Sequence, residues 1–362
     1  MLFRPVAKTK ALGPVPPAPS PIRLTRRSLL GRGTVASAAA ALPFGGWAVS
    51  PQPASADSRK ADSGDVAILR FLAAAEILET DLWQQYTELA TGNPAFMDKL
   101  SVLDEDMSDY VVQNTADEQS HASFLNAVLQ SLHEKPVSLE TFRTLQGSTA
   151  TGAANTRRLT NLMHLNVDTS WYLRYRSTTN PDLGATFPQV INITNRTAIP
   201  LRDNYTDTEI QAIANTAAFH FAMIEQGGSS LYDAMSLLAS DVTTLRIVTS
   251  IGGSEVAHFQ TWHDKAGNAV PLDTGDGLIF PDLNANPATQ TNKIMPRPCQ
   301  FLSASLPLCS IIRPTSLPNA GAMAVVQFLT ATGLFQGQSQ GFFNTLNALA
   351  RAADRATRAN RH

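Results

Sequence analysis

The chain has 362 residues, of which 43 % are hydrophobic and 16 % are charged, and this composition predicts a globular protein with a well-packed core. Residues 1–56 hold seven of the 28 basic residues and none of the 30 acidic ones, so the remaining chain has a net charge near −9. An acidic chain of this kind argues against nucleic acids and anionic membrane surfaces as partners.

The N-terminal region contains the three parts of a twin-arginine export signal in the usual order. Residues 25–30 carry the paired arginines, residues 35–49 form an apolar, alanine-rich run, and residues 54–56 offer a small-x-small cleavage site. We therefore predict that the twin-arginine export machinery recognises residues 1–56, which are then removed, and that the mature protein is periplasmic or secreted. No later apolar run reaches the roughly 20 residues of a membrane span, so no transmembrane anchor is expected in the mature chain.

The first predicted helix covers residues 63–90, where apolar side chains recur every three or four positions. Asp62 and Ser63 are candidate N-caps, and the Gly-Asn-Pro sequence at 92–94 ends the helix. Glu76 and Glu79 both lie on the apolar face. A buried carboxylate is costly unless it is paired or bound to a metal, so this placement points to a function.

The second predicted helix covers residues 104–132, and its apolar face is interrupted by a Glu-x-x-His pair, Glu118 and His121. Residues three apart in a helix lie on the same face, so the carboxylate and the imidazole are directed at a common point.

Residues 135–206 differ in character, with many Thr, Asn and Pro residues. A loop of this length needs structure of its own inside a compact domain. We predict a long crossover connection with a helix near 156–175 and short strands in pieces such as 190–193.

The third predicted helix starts at about residue 208, capped by Thr206 or Asp207, and carries Glu225 on its apolar face. Gly227 and Gly228 lie within it at a cost of about 1 kcal/mol each, which suggests close helix packing or space for a ligand.

The fourth predicted helix covers residues 242–266 and carries a second Glu-x-x-His pair, Glu255 and His258. A segment rich in Pro and Asn, 267–318, follows it. The last segment, 319–362, is helical by composition but interrupted by glycines. We predict that it packs outside the bundle or at a subunit contact of a homo-oligomer, and the sequence leaves both open.

The two halves of the chain repeat the same pattern. Glu76 is followed seven residues later by Trp83, and Glu225 by Tyr232. Each half therefore supplies one separate glutamate and one Glu-x-x-His pair, which together form the ligand set of a dinuclear carboxylate metal centre. The predicted ligands are Glu76, Glu118, His121, Glu225, Glu255 and His258, with Trp83, Tyr86 and Tyr232 around them.

The choice of the first ligand stays open at this stage. Glu79 has Tyr86 seven residues after it, so it is an alternative to Glu76. The match with the second half favours Glu76.

Residues 62–266, including the 135–206 insertion, resemble the ferritin-like superfamily and in particular its exported, desiccation-related branch. The resemblance is carried by the motifs at 75–79 and 116–125 and by Glu225 with Tyr232. It implies an all-α four-helix bundle that holds two iron or manganese ions, and zinc would also suit such ligands. It further implies terminal roles for Glu76 and Glu225, bridging roles for Glu118 and Glu255, and one nitrogen ligand per metal from His121 and His258.

Two functions fit this resemblance. In the first, the dimetal centre reacts with dioxygen or peroxide as an oxidase, peroxidase or catalase-like enzyme in stress protection. In the second, the chain is a structural, desiccation-protective protein of the envelope with an idle or absent metal site. The fold alone does not decide between them.

The chain has two cysteines, Cys299 and Cys309, close together in a Pro-rich segment. Exported proteins reach an oxidising compartment, so we predict a disulfide between them.

Overall fold

The computed structural model describes residues 62–178, 187–290, 295–311 and 317–358, all within the unit Ser58–His362. The predicted export signal lies outside the described residues. In the described ranges the fold is all-α, as predicted, and none of their helices is long and apolar enough to cross a membrane. The helices are α1 (Ser63–Gly92), α2 (Pro94–Leu103), α3 (Met107–Ser131), α4 (Trp171–Arg174), α5 (Asp207–Leu238), α6 (Val242–Ala266), α7 (Leu317–Ala320), α8 (Ala322–Ala331) and α9 (Gln340–Asp354).

The first hairpin is formed by α1 and α3, which pack along each other. The Asp62 carboxylate accepts a hydrogen bond from the Gly64 N–H at 2.8 Å and caps α1. Asn93 ends α1 and also caps α2, whose first residue is Pro94. The sequence analysis predicted the stop at 92–94 but missed α2, and α3 begins three residues later than predicted.

The second hairpin is formed by α5 and α6. A capping box between Thr206 and Glu209 starts α5, because each side chain accepts from the other residue's backbone N–H. The Asp241 carboxylate caps α6, which has the predicted bounds. The long helices of the two hairpins, α1, α3, α5 and α6, form the four-helix bundle.

The crossover between the hairpins contains less helix than predicted. The helix expected over 156–175 is reduced to α4, and a short antiparallel pair forms between β1 (Leu165–Val167) and β2 (Ile193–Arg196). The reason is a polar anchor on α1. The buried Asp81 carboxylate accepts hydrogen bonds from the backbone N–H groups of Leu159 and Thr160 at 2.9 and 2.8 Å, which holds this segment in an irregular conformation.

The C-terminal extension packs against the bundle, with α9 on α1 and α8 on α5. Between α8 and α9 the chain turns through Gly333 and Gly337, whose φ angles are 86° and 91°. Glycine adopts such angles without strain, which explains why the helical pattern breaks there. In the segment that follows α6, β3 (Leu272–Asp273) and β4 (Ile279–Phe280) form a short antiparallel pair.

The predicted disulfide is not formed in this structure, where Cys299 and Cys309 are free thiols. Their backbones are nevertheless paired directly, with N–H to O distances of 2.9 Å and 3.0 Å in the two directions. Such a hydrogen-bonded antiparallel pair has its Cα atoms about 5.5 Å apart, which is within the usual range for a disulfide, so the backbone geometry permits the bond and the disulfide stays a prediction.

Candidate metal centre

The six side chains predicted as ligands lie together in the interior of the bundle, contributed by α1, α3, α5 and α6. They form two overlapping groups, in each of which one ligand atom per residue lies within 4.8 Å of all the others. Glu118 and Glu255 belong to both groups. The first group is completed by Glu76 and His121, and the second by Glu225 and His258.

Both histidines direct Nδ1 at the carboxylates. His121 Nδ1 lies 3.1 Å from Glu118 Oε2 and 3.4 Å from Glu76 Oε2 and from Glu255 Oε1. His258 Nδ1 lies 3.1 Å from Glu118 Oε1 and 3.3 Å from Glu225 Oε2. The two oxygens of Glu118 therefore face different histidines, which is the arrangement required of a carboxylate that bridges two ions.

Four carboxylates are enclosed here beside two histidines, and the four glutamates of the two groups are at most 1 % exposed. Both oxygens of Glu255 and Oε2 of Glu76 make no hydrogen bond to any described residue. Buried polar atoms without partners are costly. Two divalent cations would neutralise the four carboxylates and supply the missing partners, so these residues fit a metal centre.

The pKa values of the site reflect the same crowding of negative charge. Burial, together with Glu225, raises the pKa of Glu118 to about 7, and burial raises the pKa of Glu255 well above its ordinary value. Burial by itself lowers the pKa of His121, but hydrogen bonds to Glu118 and Glu76 raise it to about 10. Without metal, the site therefore retains protons that cations would displace.

Two neighbouring side chains hold the carboxylates in place. The Tyr232 hydroxyl donates to Glu76 Oε1, as expected for a residue predicted to surround the site. Asn114 Nδ2 donates to Glu118 Oε1 at 2.8 Å and to Glu225 Oε1 at 3.0 Å. Trp262 Nε1 orients this amide by donating to Asn114 Oδ1 at 2.7 Å. The sequence analysis did not assign Asn114 to the site, although a polar residue on the apolar face four positions before Glu118 was a usable signal.

The other two predicted surrounding residues lie one layer farther out. Trp83 stacks on Trp262 with ring centroids 5.3 Å apart. The Tyr86 hydroxyl pairs with His220 Nδ1 at 2.7 Å. Trp83 thus supports the Trp262 ring that orients Asn114, and Tyr86 supports the core of α5. Neither residue hydrogen-bonds to a clustered carboxylate in the described ranges.

Glu79, the alternative to Glu76, belongs to neither group of clustered residues. It lines a small cavity of about 30 Å³ whose other lining residues are apolar and come from α1, α5 and the C-terminal extension. Burial, together with Glu76, Glu118 and Glu225, raises the pKa of Glu79 well above its ordinary value, so Glu79 lies near the cluster although α1 contributes Glu76 to it.

Gly228 gives Glu255 the space that it occupies. A Cβ atom at Gly228 would collide with Oε2 of Glu255, whereas a Cβ atom at Gly227 would meet nothing within 4 Å. The prediction that the glycine pair leaves space for another group thus applies to Gly228 and not to Gly227.

This difference gives a matched pair of variants. Gly227→Ala is expected to stabilise the protein by roughly 0.5 to 1 kcal/mol, because alanine is the better helix former. Gly228→Ala makes the same change in helix propensity but displaces Glu255, so we expect metal affinity to fall about 10-fold or more. Mn(II) titrations of both variants check this, and equal affinities would contradict the role of Gly228.

Comparison with known proteins agrees with this geometry. The family model described as "Ferritin-like domain" matches residues 64–268, more than half of the chain. No curated protein and no solved structure matches the chain. The matched range contains the four bundle helices and all six clustered residues, and we conclude that the chain belongs to the ferritin-like domain family.

Proposed function

We propose that the protein binds two iron or manganese ions at this centre and that the loaded centre reacts with dioxygen or peroxide. The observation that carries the proposal is the pair of overlapping residue groups that share Glu118 and Glu255. A solvated Glu-x-x-His pair on a helix surface would not be buried, duplicated and joined to its twin in this way. Carboxylate and imidazole ligands suit iron and manganese, and zinc is a further candidate.

The residues divide into three roles. Glu76 with His121 would hold one ion, Glu225 with His258 would hold the other, and Glu118 and Glu255 would bridge them. Iron or manganese ions bound here would supply the redox reaction with dioxygen or peroxide.

The surrounding residues keep the ligands in position. Asn114 orients Glu118 and Glu225, and Tyr232 holds Glu76. The buried helix interfaces keep bulk water away from the carboxylates, which strengthens every electrostatic interaction among them.

The experiment that tests this function is metal analysis of the purified protein after reconstitution with Fe(II) or Mn(II). We expect two ions per chain in the wild type and a loss of bound metal, with loss of any oxidase or peroxidase signal, in His121→Ala. Glu79→Ala is the control on the same helix as Glu76, and its metal content should stay close to that of the wild type. A wild type that binds no metal would instead support a structural, desiccation-protective function.

We further propose that the protein is exported by the twin-arginine pathway and acts in stress protection outside the cytoplasm. The support is the sequence of residues 25–56, which lies outside the described residues. Folded export would let the metal be chosen before the protein leaves the cytoplasm. Changing Arg26 and Arg27 to lysine should retain the precursor in the cytoplasm, as cell fractionation would show. Unchanged export would refute the proposal.

A further inference from the structure

The two histidines of the centre differ in the residue that contacts Nε2, the ring nitrogen that is turned away from the carboxylates. His258 Nε2 lies 3.0 Å from the Asp117 carboxylate, whereas His121 Nε2 lies 3.2 Å from the Ser254 hydroxyl. Asp117 and Ser254 occupy equivalent positions, since each directly precedes the shared glutamate of its own hairpin and reaches the histidine of the other. The repeat is therefore symmetric in its ligands and asymmetric in the residues behind them.

Asp117 and Ser254 each accept a hydrogen bond from the Nε2–H of the histidine that they contact. Nδ1 of each ring faces the carboxylates, so an ion bound there leaves the proton on Nε2. The Ser254 hydroxyl donates its own proton to the Ile251 carbonyl at 2.7 Å, so it accepts from His121. Asp117 accepts with a full negative charge. A carboxylate behind a ligating imidazole makes the imidazole a stronger donor to the metal than a neutral hydroxyl does.

Solvent reaches both positions, because the side chains of His121 and His258 are each 11 % exposed. An open cleft of about 370 Å³ between α3 and α6 reaches His121 and Ser254 directly. Its other lining residues are Ser120, Phe124, Ser250 and Ile251. The two positions therefore differ in the supporting contact, which is the weaker one at His121.

We propose that the two ion positions have different affinities: the His258 position is the tighter one, strengthened by Asp117 as a positioning residue, and the His121 position is the exchangeable one, loaded through the α3–α6 cleft. This inference rests on the proposed dinuclear centre. Its ligand class is a divalent first-row transition ion, and it assigns to Asp117 and Ser254 the difference between the two positions.

Mn(II) titration of the metal-free mature protein, followed by electron paramagnetic resonance, tests the inference. In the wild type we expect two binding steps whose dissociation constants differ about 10-fold or more, so that the first equivalent gives the signal of isolated Mn(II) and the second gives a coupled pair. His121→Ala should retain the tighter step, and His258→Ala the weaker one.

Exchanging the two supporting residues gives the decisive comparison. Asp117→Ser should weaken the tighter step about 10-fold, Ser254→Asp should strengthen the weaker step, and the double variant should reverse the order in which the positions fill. Asp117 is exposed, so its replacement should leave the melting temperature of the metal-free protein nearly unchanged.

Two outcomes would overturn the inference. Two ions bound with equal affinity in the wild type, or a tighter step that Asp117→Ser leaves unchanged, would overturn it and leave the dinuclear centre standing. Failure to bind Mn(II), Fe(II) or Zn(II) at all would overturn the dinuclear centre and this inference together.

Discussion

Replacing Glu255 by methionine is expected to raise the melting temperature of the metal-free protein and to abolish the further rise that Mn(II) produces in the wild type. Glu255 is fully buried and neither of its oxygens has a hydrogen-bond partner among the described residues, although Oε1 lies 3.4 Å from His121 Nδ1. Burial raises the pKa of Glu255, and the like charges of Glu118 and Glu225 raise it further. Methionine has a similar volume and no charge, so it removes these costs.

A buried polar group without a hydrogen-bond partner costs about 1 to 3 kcal/mol, and we expect a net gain at the lower end of that range for Glu255→Met, because the variant also loses the 3.4 Å contact between Glu255 Oε1 and His121 Nδ1. The wild type should gain about 2.7 kcal/mol from an ion supplied at 100 times its dissociation constant, and the variant should gain almost none. The metal centre would thus reduce the stability of the empty protein.

Glu105→Met is the control, because Glu105 is exposed and lies outside the metal site. It should change neither the metal-free melting temperature nor the metal-induced rise by much. A destabilised metal-free Glu255→Met protein would show that Glu255 stabilises the fold without metal, contrary to the prediction.

The clustering of these six residues was predictable from the sequence because helical spacing places them on apolar helix faces, where they would be costly without a partner. Glu118 and His121 interrupt an apolar helical face, as do Glu255 and His258, and helical spacing fixes which residues share that face. The choice between Glu76 and Glu79 was not predictable in the same way. Both lie on one face of α1, and only the approach of the other helices shows that Glu76 joins the cluster while Glu79 lies beside it and lines an apolar cavity.

The parts that were not predictable depend on contacts distant in the chain. The segment at 156–175 looked helical, but Asp81 on α1 holds its backbone in another conformation. Asn114 gains its role from Trp262, which lies 148 residues away. Such partners are brought together by the packing of one hairpin on the other, and local periodicity carries no information about them.

The stabilisation produced by Mn(II) is expected to grow as the pH rises from about 5 to about 8. In the metal-free protein the pKa of Glu118 is raised from 4.5 to about 7, and that of His121 from 6.5 to about 10. The pKa of His258 is lowered by its burial but raised overall to about 12 by Glu225 and Glu118. Above about pH 4.5 these three groups therefore bind more protons in the folded state than in the unfolded state, so their contribution to the stability of the metal-free protein falls as the pH rises.

Metal binding reverses this dependence, because ions displace the protons that the empty site retains. Deprotonation becomes easier at higher pH, so the apparent metal affinity and the metal-induced rise in melting temperature both increase. Melting curves with and without Mn(II) across this range measure the difference. Glu118→Gln, which removes the group with the pKa of about 7, should flatten the metal-free curve near neutral pH. A metal-induced rise that is constant or shrinks with pH would show that the ions do not displace protons from these residues.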